Sequence, residues 1–158
     1  MKHILPAGRR GFTLIELLVV IGILAILLAI TLIAINPARQ FGQANNTKRR
    51  SDTLQILNAI HQYVAENQGQ LPAEVAALVA DTDTVFNDTN FPNLCGELVT
   101  NYLPALPTDP SLNTANITDC AAVGGYGTTG YEVAIDADNR VTVSAPTTDN
   151  AAVIRVTR

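Results

Sequence analysis

The sequence predicts an α+β fold in which one long N-terminal helix packs on a small antiparallel sheet. Three observations predict it. An uninterrupted apolar run extends from Phe12 to Ile35, apolar residues at helical spacing continue from Leu54 to Val64, and two alternating segments near the C-terminus flank a turn-rich tetrapeptide.

The 24 residues from Phe12 to Ile35 contain one charge, Glu16. As a helix they extend about 36 Å, enough to cross a hydrocarbon core roughly 30 Å thick. Pro37 removes a backbone donor and crowds the turn before it, so a bend or unwinding is expected at Asn36–Pro37, with Gly22 a weaker second position. Arg39 to Arg50 is polar enough to sit above the lipid. Its cluster Lys48-Arg49-Arg50 reads as a solvated helical face, whose cations could also pair with acids of adjacent copies, Asp52 or the aspartates of the head.

Leu54, Leu57, Ile60 and Val64, with Ile56 and Tyr63 alongside, then form a core-facing stripe, while Asp52, Gln55, Asn58, Gln62 and Glu66 fill the other faces. The helix is expected to end at Asn67-Gln68-Gly69, with Gly69 in the left-handed position after the helix and Pro72 just beyond. A short helix is expected from Ala73 to Ala80, a loop rich in Thr, Asp and Asn from Asp81 to Asn93, and a helical turn or two at Glu97 to Tyr102. Gly130–Ile135 and Arg140–Ala145 alternate as strands joined by Asp136-Ala137-Asp138-Asn139, and Val153–Val156 adds a third. The organisation is a leader at 1–11, a transmembrane helix at 12–35, its amphipathic continuation at 36–69, and an α+β head at 70–158.

Several functions are disfavoured by composition. Without the leader and its Lys2, Arg9 and Arg10, seven basic face fourteen acidic side chains, a formal charge of −7, which argues against a general nucleic-acid or anionic-membrane binder. No nucleophile motif, phosphate loop or metal-ligand spacing stands out, so no enzyme and no cofactor is expected. His3 lies in the leader and His61 at a polar edge of the long helix. Asp136, Asp138 and Asn139 are a fragment of a calcium loop without its terminal bidentate Glu, and a plain hairpin turn is the simpler reading. Cys95 and Cys120 both lie in the head, where outside the membrane they can form a disulfide; two buried free thiols are the alternative. Asn-x-Thr triplets begin at Asn45, Asn87 and Asn116, too common a pattern to imply modification.

Glu16 is the anomaly of the apolar run, since a carboxylate at the centre of a membrane helix costs roughly 2.5–3.5 kcal/mol. Four residues past Phe12, it lies close enough to the interface to reach headgroups. A conventional secretory signal fits poorly, because the run exceeds the usual 7–15 residues and no A-x-A-like site closes it before Asn36. The basic leader keeps the N-terminus cytoplasmic and the head outside, although Arg39 and Lys48-Arg49-Arg50 on the far side dilute that bias.

Arg9-Arg10-Gly11-Phe12-Thr13-Leu14-Ile15-Glu16, followed by the aliphatic run, resembles the class III signal of type IV pilins and of the pseudopilins of type II secretion. The resemblance implies cleavage between Gly11 and Phe12 by a prepilin peptidase, N-methylation of Phe12, and a mature chain with Glu16 as its fifth residue. Gly11 suits an extended scissile backbone. The new amine, with a pKa of about 7.7–8.0, is largely cationic at neutral pH. It can pair with Glu16 within one helix or between staggered copies, and the second arrangement drives polymerisation because each added copy removes an unpaired buried charge.

The implied architecture is a pilin-like head on an anchored helix. The implied partners are the peptidase, other copies and related pilins in a filament, an inner-membrane assembly platform and, before assembly, the lipid bilayer. Many family members place a proline nearer the middle of the apolar run, where this chain has Gly22. Tyr102-Leu103-Pro104 through Thr108-Asp109-Pro110 is similar to the segment leading into the sheet of major pseudopilins, some of which bind Ca²⁺. Two functions follow. One is a structural subunit of a type IV pilus or a type II secretion-type pseudopilus, and the other is a singly anchored surface protein or minor tip subunit whose head binds a partner.

Overall fold

The computed structural model describes residues 11–158, so the leader's Lys2, His3, Arg9 and Arg10 lie outside the described residues. The chain divides into two compact units, one ending at Gln40 and the other spanning Phe41–Arg158.

In the first unit, helix α1 covers Leu14–Ile35. Thr13 begins it with a reciprocal cap: its hydroxyl accepts the Glu16 N–H at 3.3 Å, and the Glu16 carboxylate accepts the Thr13 N–H at 3.1 Å. No α1 side chain is buried in the isolated chain, and its mean hydropathy suffices to span a membrane. Asn36 then adopts left-handed backbone (φ 46°, ψ 79°) and interrupts the helical run. Asn tolerates that conformation better than most residues. Its carbonyl accepts the Arg39 and Gln40 N–H groups, and Pro37, lacking a donor, opens helix α2 (Pro37–Glu66), where the fixed φ of proline suits the first turn.

In the second unit, α2 from Phe41 onward lies on one face of a sheet. Its buried stripe is Arg49, Asp52, Thr53, Ile56, Leu57 and Ile60. The helix is therefore rotated from the expected face: Leu54 is exposed, Val64 is half-buried, and Asp52 turns inward. The end also differs by one residue. Gly69 N–H reaches the Val64 carbonyl at 2.8 Å, which puts Gln68 (φ 58°) directly after the helix cap, and Gly69 follows it at φ 86°, also left-handed.

Helix α3 is Ala73–Ala76, half the expected length, because the chain turns away at Ala77 to join the sheet, where Asp81 N–H pairs with the Ile135 carbonyl. The sheet is antiparallel, in the order β1 (Thr84–Asn87), β2 (Thr128–Ile135), β3 (Val141–Ala145) and β4 (Ile154–Thr157). Strand β1 falls inside the segment expected to be loop. Four residues with two polar side chains carry little alternation, and pairing with β2 supplies the partners that make them a strand. Helix α4 is Leu94–Leu98, earlier than expected, because Glu74 accepts the Asn93 and Leu94 N–H groups at 2.9 Å and caps it from a distant segment.

The core joins Ile56, Leu57 and Ile60 of α2 to Tyr131, Val133, Val141 and Val143 of the sheet. Phe86, Phe91 and Tyr126 extend it as edge-on aromatic contacts, with Phe86 centroid distances of 5.1 and 6.4 Å. Cys95 and Cys120 form a disulfide across 25 positions of sequence, fastening α4 to the loop before β2. Replacing both cysteines by serine is expected to lower the unfolding free energy of the head by about 3 kcal/mol in the chain-entropy model, measured by urea titration followed through tyrosine circular dichroism.

Candidate functional site

Two groups of polar residues stand where the fold would otherwise be apolar, one on α1 and one on α2. Gly11 and Phe12 are exposed ahead of α1, with nothing within 4 Å of Gly11. The Glu16 carboxylate takes the Thr13 N–H and, at 3.0 Å, the Thr13 hydroxyl, so both of its protein partners come from one residue of the preceding turn. Every hydrogen bond of this acid is local. Among the described residues it therefore enters the apolar run hydrogen-bonded but without a cationic partner.

The second group lies on α2. Asn46, Arg49 and Asp52 recur at intervals of three and are all buried. The Arg49 guanidinium donates through Nε and Nη2 to the two oxygens of Asp109, at 2.7 and 3.1 Å, and through Nη1 to Asp149 at 2.7 Å. A planar fork meeting a carboxylate in this way is the strongest geometry available to such a pair. Asn46 completes it: its carbonyl oxygen accepts from Arg49 Nη1 and from the Asp149 N–H, and its amide donates to the Asp149 carbonyl at 2.6 Å. Asp52 accepts the Tyr131 hydroxyl at 2.7 Å, with the Lys48 ammonium at 3.8 Å. Lys48 also donates to the Thr108 carbonyl at 3.0 Å.

Two glycines make room for these approaches. A Cβ on Gly42 would lie 2.8 Å from Asn150 Nδ2 and 2.9 Å from Asp149 Cβ. One on Gly130, which has φ +78°, would lie 2.7 Å from Asp109 Cβ. Asp109 is held by its own turn as well, accepting the Ser111 N–H and hydroxyl at 2.8 and 2.6 Å.

The charges respond accordingly. Burial pushes the Asp109 carboxyl up, but Arg49 and Ser111 outweigh it and hold the group below its ordinary value. The hydrogen bond from Arg49 likewise lowers Asp149, and Asp109 raises Arg49. Asp52 is raised by burial, which Tyr131 and Lys48 offset only in part. The expectation of a solvated Lys48-Arg49-Arg50 face is corrected here: Arg49 is 1% exposed and spends its charge inside its own subunit, leaving Lys48 and Arg50 outside. The signal that could have found it is the same spacing of Asn46, Arg49 and Asp52 ahead of Ile56 and Ile60, which continues the buried stripe.

Of the other expected residues, Asp136 closes the β2–β3 turn. One oxygen accepts the Asp138 and Arg140 N–H groups at 2.9 Å and the other accepts Arg140 Nε at 2.7 Å, so its carboxylate is committed to the hairpin. Asn139 takes left-handed backbone at φ 59°, and Asp138 stands exposed 3.6 Å from Arg140. Among the described residues no cluster of three His, Cys, Asp or Glu side chains could hold a metal. Gly22 lies within the continuous α1 helix.

An apolar N-terminal helix and an α+β head with a four-stranded antiparallel sheet define a pilin-like class of protein. Within that class, the chain carries the prokaryotic N-terminal methylation motif, the class III signal of type IV pilins and pseudopilins, which a family model of that description matches over residues 6–32. No curated protein and no solved structure matches the chain. The motif is that of prepilin-processed, pilin-like proteins, and the apolar helix fits a membrane anchor.

Arg49→Ala would leave the Asp109 carboxylate buried without its cation and is expected to cost about 3–5 kcal/mol of unfolding free energy, with Arg49→Lys falling between. A carboxyl lowered on folding gives its full stabilisation above its unfolded pKa of about 4 and loses it as pH falls through the folded value. Wild-type stability should therefore drop steeply below about pH 4, and Asp109→Asn should flatten that slope in pH-resolved urea titrations.

Proposed function

We propose that the chain is a structural subunit of a type IV pilus or a type II secretion-type pseudopilus, cut by a prepilin peptidase after Gly11, N-methylated on Phe12 and polymerised through its apolar helix. The observation that carries this reading is Glu16, a lone carboxylate in a 22-residue apolar helix whose partners among the described residues are both supplied by Thr13. Thr13 satisfies hydrogen bonds of the acid and leaves its charge uncompensated, and cleavage at Gly11 would create a cation one turn away on Phe12. In a staggered array of copies, the Phe12 amine of one subunit meets the Glu16 of the next, and each addition removes one unpaired charge from the membrane.

Before assembly the subunit crosses the inner membrane once, with the head of residues 41–158 exported. An assembly platform in that membrane then moves it into the filament. The left-handed Asn36 ahead of Pro37 supplies a local joint where backbone can reorganise during that transfer, a role for which Gly22 is a second candidate.

Mass spectrometry of the purified protein should find an N-terminal peptide beginning at methylated Phe12, and a terminus at Met1 or elsewhere would remove the basis for processing. Glu16→Ala should reduce sheared filaments at least about tenfold while the protein stays in the membrane fraction, as expected when a pairing worth more than about 1.4 kcal/mol is lost. Filaments as abundant as wild type would instead favour a singly anchored receptor, for which losing a membrane acid is neutral or helpful.

A further inference from the structure

The core face of the sheet is filled by Tyr131, Val133 and Val143, and the opposite face holds a row that the processing and assembly reading does not use. Strand register sets Val85, Glu132, Ser144 and Arg155 side by side across all four strands, with their side chains on this outer face. Arg155, on edge strand β4, pairs with Asp83 at the start of the other edge strand, β1, so the ion pair closes over the row from its two ends. Between them lies a groove of about 270 Å³ lined by Asp83, Glu132, Ser144, Thr148, Val153 and Arg155.

Two features of this groove are incomplete. Ser144 is 6% exposed, yet its hydroxyl has no hydrogen-bond partner. A buried hydroxyl without a partner costs free energy that a native structure rarely leaves unrecovered. Glu132, half-buried beside it, forms no ion pair among the described residues, while the guanidinium of the groove, Arg155, pairs with Asp83. Burial and then the Asp83 charge raise the Glu132 carboxyl, and the Arg155 charge offsets this only in part. An added cation would relieve that strain, and an added anion would worsen it.

The apolar parts of the site narrow the cation. Val153 lines the groove and Val85 ends the row, and both are exposed. A ligand that satisfies the whole set needs several N–H donors on a compact charge and a flexible apolar stem behind it, the combination a lysine side chain provides. A guanidinium fits less well, since its planar fork is rigid and bulky beside the Arg155 guanidinium already in the groove, whereas a compact ammonium can reach Glu132 and the Asp83 oxygen that Arg155 leaves free. We propose that this groove receives a lysine side chain of a partner protein, its ammonium donating to Glu132, Ser144 Oγ and Asp83 while its methylenes lie along Val153 and Val85.

The test uses isotope-labelled full-length protein in detergent micelles, titrated with Nα-acetyl-lysine methylamide and read by amide chemical shifts. Saturable shifts confined to residues 83, 132, 144, 148, 153 and 155 are expected. The norleucine analogue should cause none, and the Nε-trimethyllysine analogue, charged but without N–H donors, should bind about fivefold more weakly. Glu132→Gln and Ser144→Ala should each weaken lysine binding about fivefold, with an unchanged urea midpoint showing that the head remains folded. Shifts spread evenly over Asp81, Asp88 and Asp119, or calcium chloride displacing the lysine probe from the same residues at lower concentration, would overturn the assignment. Butylammonium binding as tightly as the acylated lysine would overturn the protein source of the ammonium.

Discussion

The architecture of the head depends on one buried cation. Arg49 projects from α2 into a layer where acids from two distant segments meet it, Asp109 ahead of Pro110–Leu112 and Asp149 in the β3–β4 loop, beside the bond from Tyr131 of β2 to Asp52. A buried guanidinium is costly by itself, and only the coincidence of all these segments makes its burial tolerable. The consequence is registration. Hydrophobic contacts between α2 and the sheet would accept a helix slid or rotated by a few degrees, whereas a bidentate Arg49–Asp109 pair accepts one position. The same pair explains why Leu54 faces out and Asp52 faces in, against what apolar periodicity alone suggests.

The anchor follows an opposite logic. Among the described residues the polar groups at the two ends of α1 bond within a turn or two of chain: Thr13 with Glu16 at its start, and Asn36 with Arg39 and Gln40 at its end. On the proposed reading the helix exists first in lipid and then in an assembly, and it cannot rely on partners that are absent in one of the two settings. Backbone bonds closed inside the segment meet that requirement. The residual charge of Glu16 is the part that local structure leaves open, and the proposed assembly chemistry acts on it.

Legibility follows the same division. The processing motif, the anchor length, the Asn36–Pro37 break and the β2–β3 hairpin are carried by contiguous residues whose chemistry acts over one or two turns, and the sequence displays them directly. Strand β1 was hidden because Thr84-Val85-Phe86-Asn87 becomes a strand only by pairing with residues more than forty positions away. Helix α4 was misplaced because its cap, Glu74, comes from another segment. Arg49 reads as a surface charge in the sequence because Lys48 and Arg50 flank it, and its acids lie 60 and 100 residues further along.

By itself the sequence determined an apolar helix long enough to span a membrane, an N-terminal methylation motif at its start, and an α+β head. Each of those properties rests on short-range periodicity or on a motif read locally by lipid or by an enzyme. Which face of α2 is buried, where the two short elements fall, and which ionic groups are neutralised inside the subunit were decided by the tertiary structure. Burial is a property of the whole packed head, and a charge becomes stable there only when residues far apart in the chain arrive at the same place.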